Sequence, residues 1–397
     1  MNMKRTLRGM ASVYALTATI ATLTATTDAA SITVDSVSQR WPWNNKVDIT
    51  YTVAGGQDVA GGVYARIVFT ANIGGTAYTI DGVHDVGASA SDGTHTVTWT
   101  LPSGLKATGC TMTARLLSAD NPSGDDYMIV DLSTGEITYE GLFATQETSN
   151  TRYNTSTYKT SKLVLRKVPA GTHRTGTTGT NFREVNTAKE WTTDRDYYIG
   201  VFELTRNQYY YVCGGTNPNS MAPQRSMTWN DFRGETVSTN AVVASATGSF
   251  LQRLNYKTGL YFDLPTEVMF EIAMRAGTTG DFYWGGDSVN TDYVYGYTSG
   301  YSNPTTVGSK KPNAWGLYDM AGNVWNFCLD DNSLANLADA TDPFTPAYSG
   351  NASRRARGGA YNVTVTNPFR SPDHTDGANS ATASYNSYGY RVAYIVK

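Results

Sequence analysis

The chain is poor in charge, cysteine and histidine, and each shortage removes a class of function. Of its 397 residues only 16% are Asp, Glu, Lys or Arg, and they balance to −3. No basic excess exists to hold nucleic acid or an anionic membrane. The three cysteines, Cys110, Cys213 and Cys328, lie too far apart for a close metal-binding or redox pair. In an oxidising compartment Cys213 and Cys328 could pair, although a buried, unpaired Cys is the commoner state. The four histidines, His84, His95, His173 and His374, show no HxxxH-type spacing. Beyond the N-terminus no apolar run approaches the roughly 20 residues that span a bilayer, so no transmembrane segment is expected. Ser-His-Asp, Cys-His and phosphate-loop patterns are missing as well.

What is present is glycine (38 residues), tyrosine (27) and many Thr, Ser and Asn. That profile suits an exported, loop-rich and β-rich protein. Lys4, Arg5 and Arg8 precede an apolar run from Met10 to Ala25, and Thr27-Asp28-Ala29 places small residues at the two key cleavage positions. Residues 1–30 therefore read as a secretory signal peptide, which implies a secreted or cell-surface location, the bacterial periplasm included.

From Ser31 to about residue 132 the pattern is one of short strands. Val47–Val53, Val63–Phe69 and Thr94–Leu101 alternate at period two, and Gly55-Gly56, Gly61-Gly62, Asp81-Gly82 and Asp92-Gly93 separate such runs. An all-β sandwich of immunoglobulin or fibronectin type is expected over 31–132, with His84 and His95 packed or solvated. A linker over 133–161 leads to a second domain at 162–397. There Thr205 with Gln208, and Ser249 with Gln252, have capping-box spacing, and Gly259 can end the second of these helices. Thr266 caps a third, in which Glu271 and Arg275 stand four apart and Gly277 terminates.

Four runs of this second region carry most of its information. They are Asp263-Leu264-Pro265-Thr266-Glu267-Val268-Met269-Phe270-Glu271, the segment from Asn313 to Phe327, Arg357-Gly358-Gly359-Ala360-Tyr361, and Gly389-Tyr390-Arg391-Val392-Ala393. In this order they resemble the formylglycine-generating-enzyme (sulfatase-modifying factor) family, whose usual forms read LPTEAEWE, NxxGLYDMxGNVWEW, RGGSW and GFRVA. The resemblance covers about Leu163 to Lys397. It implies an α+β fold of C-type-lectin type and a calcium loop, with Asp319, the carbonyls of Gly322 and Val324, and Asn326 as ligands. Asn326 stands where the family has Glu, so one ligand charge is lost. The alternative from the residues themselves is that Asp319 and Asn326 bond loop amides. A second family calcium site would fall on Asp292 and the Tyr301 carbonyl, with Ser299 where an acid is expected.

The resemblance also implies a copper-binding thiol pair just after the third run, since thiolates select Cu(I). Its gap-free counterparts here are Val363 and Pro368, and no Cys follows Cys328. Copper and the formylglycine-forming oxidation are therefore not expected. An iron site of the kind used by another branch of the family would need His173, His374 and a carboxylate to meet. The polar remainder, Arg357, Tyr361, Asn362, Arg370, His374, Tyr385 and Tyr388, reads as a ligand-binding surface of paratope-like chemistry for a protein or glycan.

Three functions follow: a non-catalytic binding or structural protein, a divergent enzyme (of the non-haem metal oxidoreductase class) using other residues in the same cleft, and a variable ligand-binding protein of a diversity-generating retroelement. For the last, residues 360–390 lack Lys, Glu, Gln, Met and Trp, but that absence begins at Asn326 and does not single out the region.

Overall fold

The computed structural model describes residues 31–40, 45–54, 66–81, 86, 88–89, 91–117, 126–141, 151–177, 188–234, 242, 245–297, 301–331, 340, 342–347, 353–375 and 379–396. The expected signal peptide, His84 and Ser299 lie outside the described residues. The chain divides into two compact units, one up to Ala119 and the other from Asp120 onward.

The first unit holds β1 (Ser31–Gln39), β2 (Lys46–Ala54), β3 (Arg66–Ile73), β4 (Thr76–Asp81), β5 (Gly93–Thr100) and β6 (Thr111–Leu117). They form two antiparallel sheets, ordered β1-β2-β5 and β4-β3-β6. Strand β2 shows why: Val47, Ile49, Tyr51 and Val53 are buried while the residues between them are not, the period-two signature of a strand with one face on a core. Those side chains join Ile67, Phe69 and Met112 of the other sheet in one apolar cluster. His95 is accounted for locally, with its Nε2 2.8 Å from the Ser91 carbonyl and its ring against Tyr51.

The second unit contains β7 (Tyr127–Asp131), β8 (Ile137–Glu140), β9 (Lys162–Val168), β10 (Gly171–Thr175), β11 (Lys189–Thr193) and β12 (Tyr197–Gly200). Helices α1 (Arg206–Cys213), α2 (Trp229–Arg233), α3 (Phe250–Thr258) and α4 (Glu267–Arg275) follow. The strands β13 (Trp325–Asp331), β14 (Ser353–Arg357), β15 (Asn379–Ser380), β16 (Tyr388–Gly389) and β17 (Ala393–Ile395) end the order. A five-stranded antiparallel sheet runs β17-β12-β9-β7-β8, a four-stranded sheet runs β15-β14-β13-β16, and β10 pairs with β11.

This arrangement corrects the boundaries drawn from the sequence. Strands β7 and β8, expected in the first domain and in a linker, belong to the large sheet of the second unit. Met128, Ile129 and Val130 are all buried, the signature of a strand covered on both faces, so no alternation marks its true sheet. The Asp131 carboxylate accepts the Ser133 and Thr134 N–H groups and so turns the chain back into β8.

The helix signals fare better. Thr205/Gln208 and Ser249/Gln252 form reciprocal capping boxes, and Gly259 ends α3 in the left-handed region. A third box, Thr228 with Asp231, opens α2. Thr266 caps α4 as expected, but that helix stops on Ala276 (φ 48°), one residue ahead of Gly277. The Glu271–Arg275 pair is also not a surface pair: both side chains are buried, and the whole of α4 is enclosed.

Candidate functional site

The run from Asn313 to Phe327 is loop until β13 begins, and its own polar side chains set its course. Asn313 Oδ1 accepts the Trp315 and Leu317 N–H groups, while its Nδ2 donates to the Ala273 and Met274 carbonyls at the end of α4. Asp319 (φ 53°), Gly322 (φ 95°) and Asn323 (φ 58°) occupy the left-handed region that sharp turns demand. At Gly322 a side chain is excluded outright, because a Cβ would lie 2.5 Å from the Tyr295 carbonyl oxygen.

Two buried ionisable side chains from distant segments hold this loop. Glu203 accepts Asn323 Nδ2 at 2.7 Å and the Val324 N–H at 3.2 Å. Arg391 donates Nη1 to the carbonyls of Gly200 and Val201 and Nη2 to those of Tyr318 and Asp319. Burial, and then the neighbouring Asp319, push the Glu203 carboxyl well above its ordinary range. Burial also raises Asp319, against the pull of the Gly308 N–H and of Arg391.

The expected calcium donors can be tested against this geometry. Asp319 Oδ2 accepts the Gly308 N–H, leaving Oδ1 buried with no hydrogen-bond partner. Asn326 is fully buried; its Nδ2 donates to the Val324 carbonyl at 3.0 Å and its Oδ1 likewise has no partner. Each of these two side chains thus keeps one buried oxygen without a hydrogen-bond partner. The Asn326 amide also bonds its loop, as the alternative from the residues had it. Among the described residues no group of three or more His, Cys, Asp or Glu side chains is placed to hold a metal. At the second position Asp292 is exposed and paired with Lys311 at 2.8 Å.

Val363 packs on the main core and Pro368 is buried. The three cysteines are free, so Cys213 and Cys328 are not bridged. Burial raises the Cys328 thiol well above its ordinary range, the opposite of a reactive thiolate. His173 and His374 have different partners: the first lies against the Pro169 carbonyl and Trp315, the second against Glu267.

The residues named as a binding surface separate into two groups. Arg357 is fully buried, donating to Glu267 at 3.2 Å, to Glu271 at 2.7 Å and to the Ser371 carbonyl. His374 is buried with its Nδ1 3.5 Å from the same Glu267. Both are thus internal, and the guanidinium of Arg357 has no route to a ligand. Tyr361 is also buried, with its N–H on the Asn323 carbonyl, and Arg370 lies over the Phe282 ring. Of these four, Arg357 and His374 meet at Glu267. Asn362 is exposed, and Tyr385 and Tyr388 are half-buried.

Around those two tyrosines stands a group that no motif announced. Arg225 donates Nη1 to the Asn386 carbonyl and Nη2 to Asn303 Oδ1, both at 3.0 Å. Ser226, in the left-handed region at φ 59°, donates its hydroxyl to Asn386 Oδ1 and its N–H to the Tyr385 carbonyl. Tyr295 reaches the Asn303 carbonyl, and its ring meets that of Tyr301 at 4.4 Å. Tyr385 meets Tyr388, which stacks on Trp325. One arginine thereby ties together loops 78 and 161 residues away from it. No local pattern signals a bond of that span.

The sequence matches the model of the sulfatase-modifying factor enzyme 1-like domain over residues 152–395. Among curated proteins it is 31% identical over 147 residues to a formylglycine-generating enzyme of Streptomyces coelicolor, a stretch that is 33% of this chain and 46% of that protein. It is 32% identical over 134 residues to the serine/threonine-protein kinase pkn1 of Chlamydia pneumoniae, covering 33% of this chain and 20% of that one. The chain thus spans less than half the length of these relatives. Among solved structures, PvdO from Pseudomonas aeruginosa aligns over 58% of this chain and 93% of its own at 21% identity, with a TM-score of 0.47. Treponema denticola variable protein 1 aligns over 58% and 95% at 18% identity, with a TM-score of 0.46. Since the matched region takes in more than half of the chain, the protein belongs to the sulfatase-modifying factor enzyme 1-like domain family.

Proposed function

We propose that this protein is an exported, non-catalytic binding protein. On this view it keeps the family scaffold, uses the loops around Arg225 as its binding surface, and carries an immunoglobulin- or fibronectin-like module in front. The observation that carries the reading is the replacement of the thiol pair by Val363 and Pro368, one packed on the core and the other buried. An oxidation at cysteine needs a soft metal ligand or a reactive thiolate of the protein's own. Neither side chain supplies one. The test is oxygen consumption by the purified chain given Cu(I) and a cysteine-containing peptide. No consumption above the rate of peptide and Cu(I) without protein is expected; sustained turnover beyond that rate with copper bound would overturn the reading.

Calcium belongs to the same proposal. Asp319, Asn326 and the carbonyls of Gly322 and Val324 would hold the ion, and it would supply positive charge to the two orphaned oxygens. With an amide where the family has a carboxylate, binding is expected to be weak. Calcium at ten times its dissociation constant should stabilise the second unit by about 1.4 kcal/mol. Asn326→Glu should melt lower than the natural protein in chelator and regain stability as calcium is added. Melting curves indifferent to calcium in both proteins would remove the site.

A further inference from the structure

The surface around Arg225 has a chemistry that selects among ligands. Both acceptors of its guanidinium, the Asn386 carbonyl and Asn303 Oδ1, are neutral, and among the described residues no carboxylate pairs with it. Two hydrogen bonds leave most of the donors of a guanidinium unused. The amide oxygens of Asn303 and Asn386 are also committed, the first to Arg225 and the second to the Ser226 hydroxyl. Each oxygen thus has one of its two lone pairs engaged, whereas the Nδ2 groups of these two exposed side chains are donors with no bond yet made. The patch is thus rich in donors and carries one uncompensated positive charge.

On either side of these donors stand aromatic rings. Tyr301, 37% exposed, is braced by Tyr295, and Tyr388 is braced by Tyr385 and Trp325. The bonds from Arg225 and Ser226 fix the loops before any ligand arrives, which lowers the ordering cost of binding. Ser226 is held in a backbone region that non-glycine residues seldom adopt, as happens where a surface is shaped for use.

Accepting the binding role proposed above, we propose that this surface takes an acidic glycan. Its carboxylate or sulfate would meet Arg225 and the two Nδ2 donors, and its pyranose rings would lie against the flanking tyrosines. An acidic peptide would use the same charge. It would gain little from amide donors set between flat rings, which suit a ligand covered in hydroxyl and ether oxygens.

The experiment is affinity electrophoresis of the full chain in gels containing alginate (a polyuronate), dextran or polyglutamate. The natural protein is compared with Asn303→Asp and Asn303→Ser. Alginate should retard the natural protein, less so as salt rises, and dextran and polyglutamate should not. Asn303→Asp gives Arg225 the carboxylate it lacks, so its melting temperature should hold or rise while alginate affinity falls at least about tenfold. Asn303→Ser loses the brace without adding charge and should keep more affinity than Asn303→Asp. The proposal is overturned if alginate fails to retard the folded natural protein. It is overturned equally if polyglutamate or dextran does so as strongly, or if Asn303→Asp binds as well as its parent. Retardation by dextran alone would end the acidic-glycan assignment and leave the binding role standing. Copper-dependent oxygen consumption would end the binding role itself.

Discussion

Arg391→Met is expected to abolish the cooperative unfolding transition of the second unit. The side chain is fully buried and supplies four hydrogen bonds to the carbonyls of Gly200, Val201, Tyr318 and Asp319. Its positive charge also acts on Glu203 and, together with Lys159 and Lys310, on Asp319. Methionine would fill much of the volume but leave two buried acids facing each other and four acceptors unmade. Stranding a buried charge in this way costs about 3–5 kcal/mol, and a domain's whole stability is only about 5–15 kcal/mol. Arg391→Lys retains the charge but carries its three donors on one nitrogen and cannot span both ends of the guanidinium fork, so its loss should be smaller than that of Arg391→Met. Calorimetry on the full chain checks this, because the first unit has its own core and should still melt. A second transition that survives Arg391→Met with less than about 1 kcal/mol lost would refute the role assigned to this residue.

Stability of the second unit is expected to fall between about pH 4 and about pH 7.5. The main reason is Asp330, whose carboxyl is pushed up to about 7 by burial and then by the nearby Glu267. The Ala347 and Glu267 N–H groups, at 2.8 and 2.7 Å, pull the other way without prevailing. In the unfolded chain the same group titrates near 3.9. The folded state thus holds a proton that the unfolded state has released. The stability this contributes is complete below about pH 4 and disappears as pH rises through about 7. A shift of roughly three units corresponds to about 4 kcal/mol, or on the order of 10 °C in a unit of this size. Glu203, Asp263 and Asp319, all raised by burial, add slope of the same sign. Asp131, lowered by its Ser133 and Thr134 bonds, acts oppositely and only in acid. Melting temperature against pH should therefore descend, and more gently in Asp330→Asn. A flat or rising profile, or a variant curve parallel to its parent, would show that Asp330 stays ionised.

Much of the scaffold was legible because its signals are local. A capping box needs two residues three apart, and both boxes read from the sequence formed. The turning loop of Asn313–Phe327 announced itself through residues that tolerate left-handed backbone, and Asp319, Gly322 and Asn323 adopt it. What escaped depends on bonds between distant segments. Arg357 and His374 read as surface chemistry in a polar stretch, yet both turn inward to Glu267, ninety or more residues earlier in the chain. Arg225 belongs to no motif and gains its meaning from Asn303 and Asn386. Strand β7 shows the same limit for the fold, since a run with no alternation does not say which sheet will bury it.

That strand also sets where this protein can be cut. The family match begins at residue 152, which invites a recombinant fragment started there. It would discard β7, which pairs with β9 along Asp131 to Tyr127, and β8 beyond it. Strand β9 would then present a bare, apolar edge to solvent, an invitation to pair with another molecule. A fragment begun near residue 120 keeps the sheet whole, so the useful scissor line lies some thirty residues ahead of the recognisable family sequence.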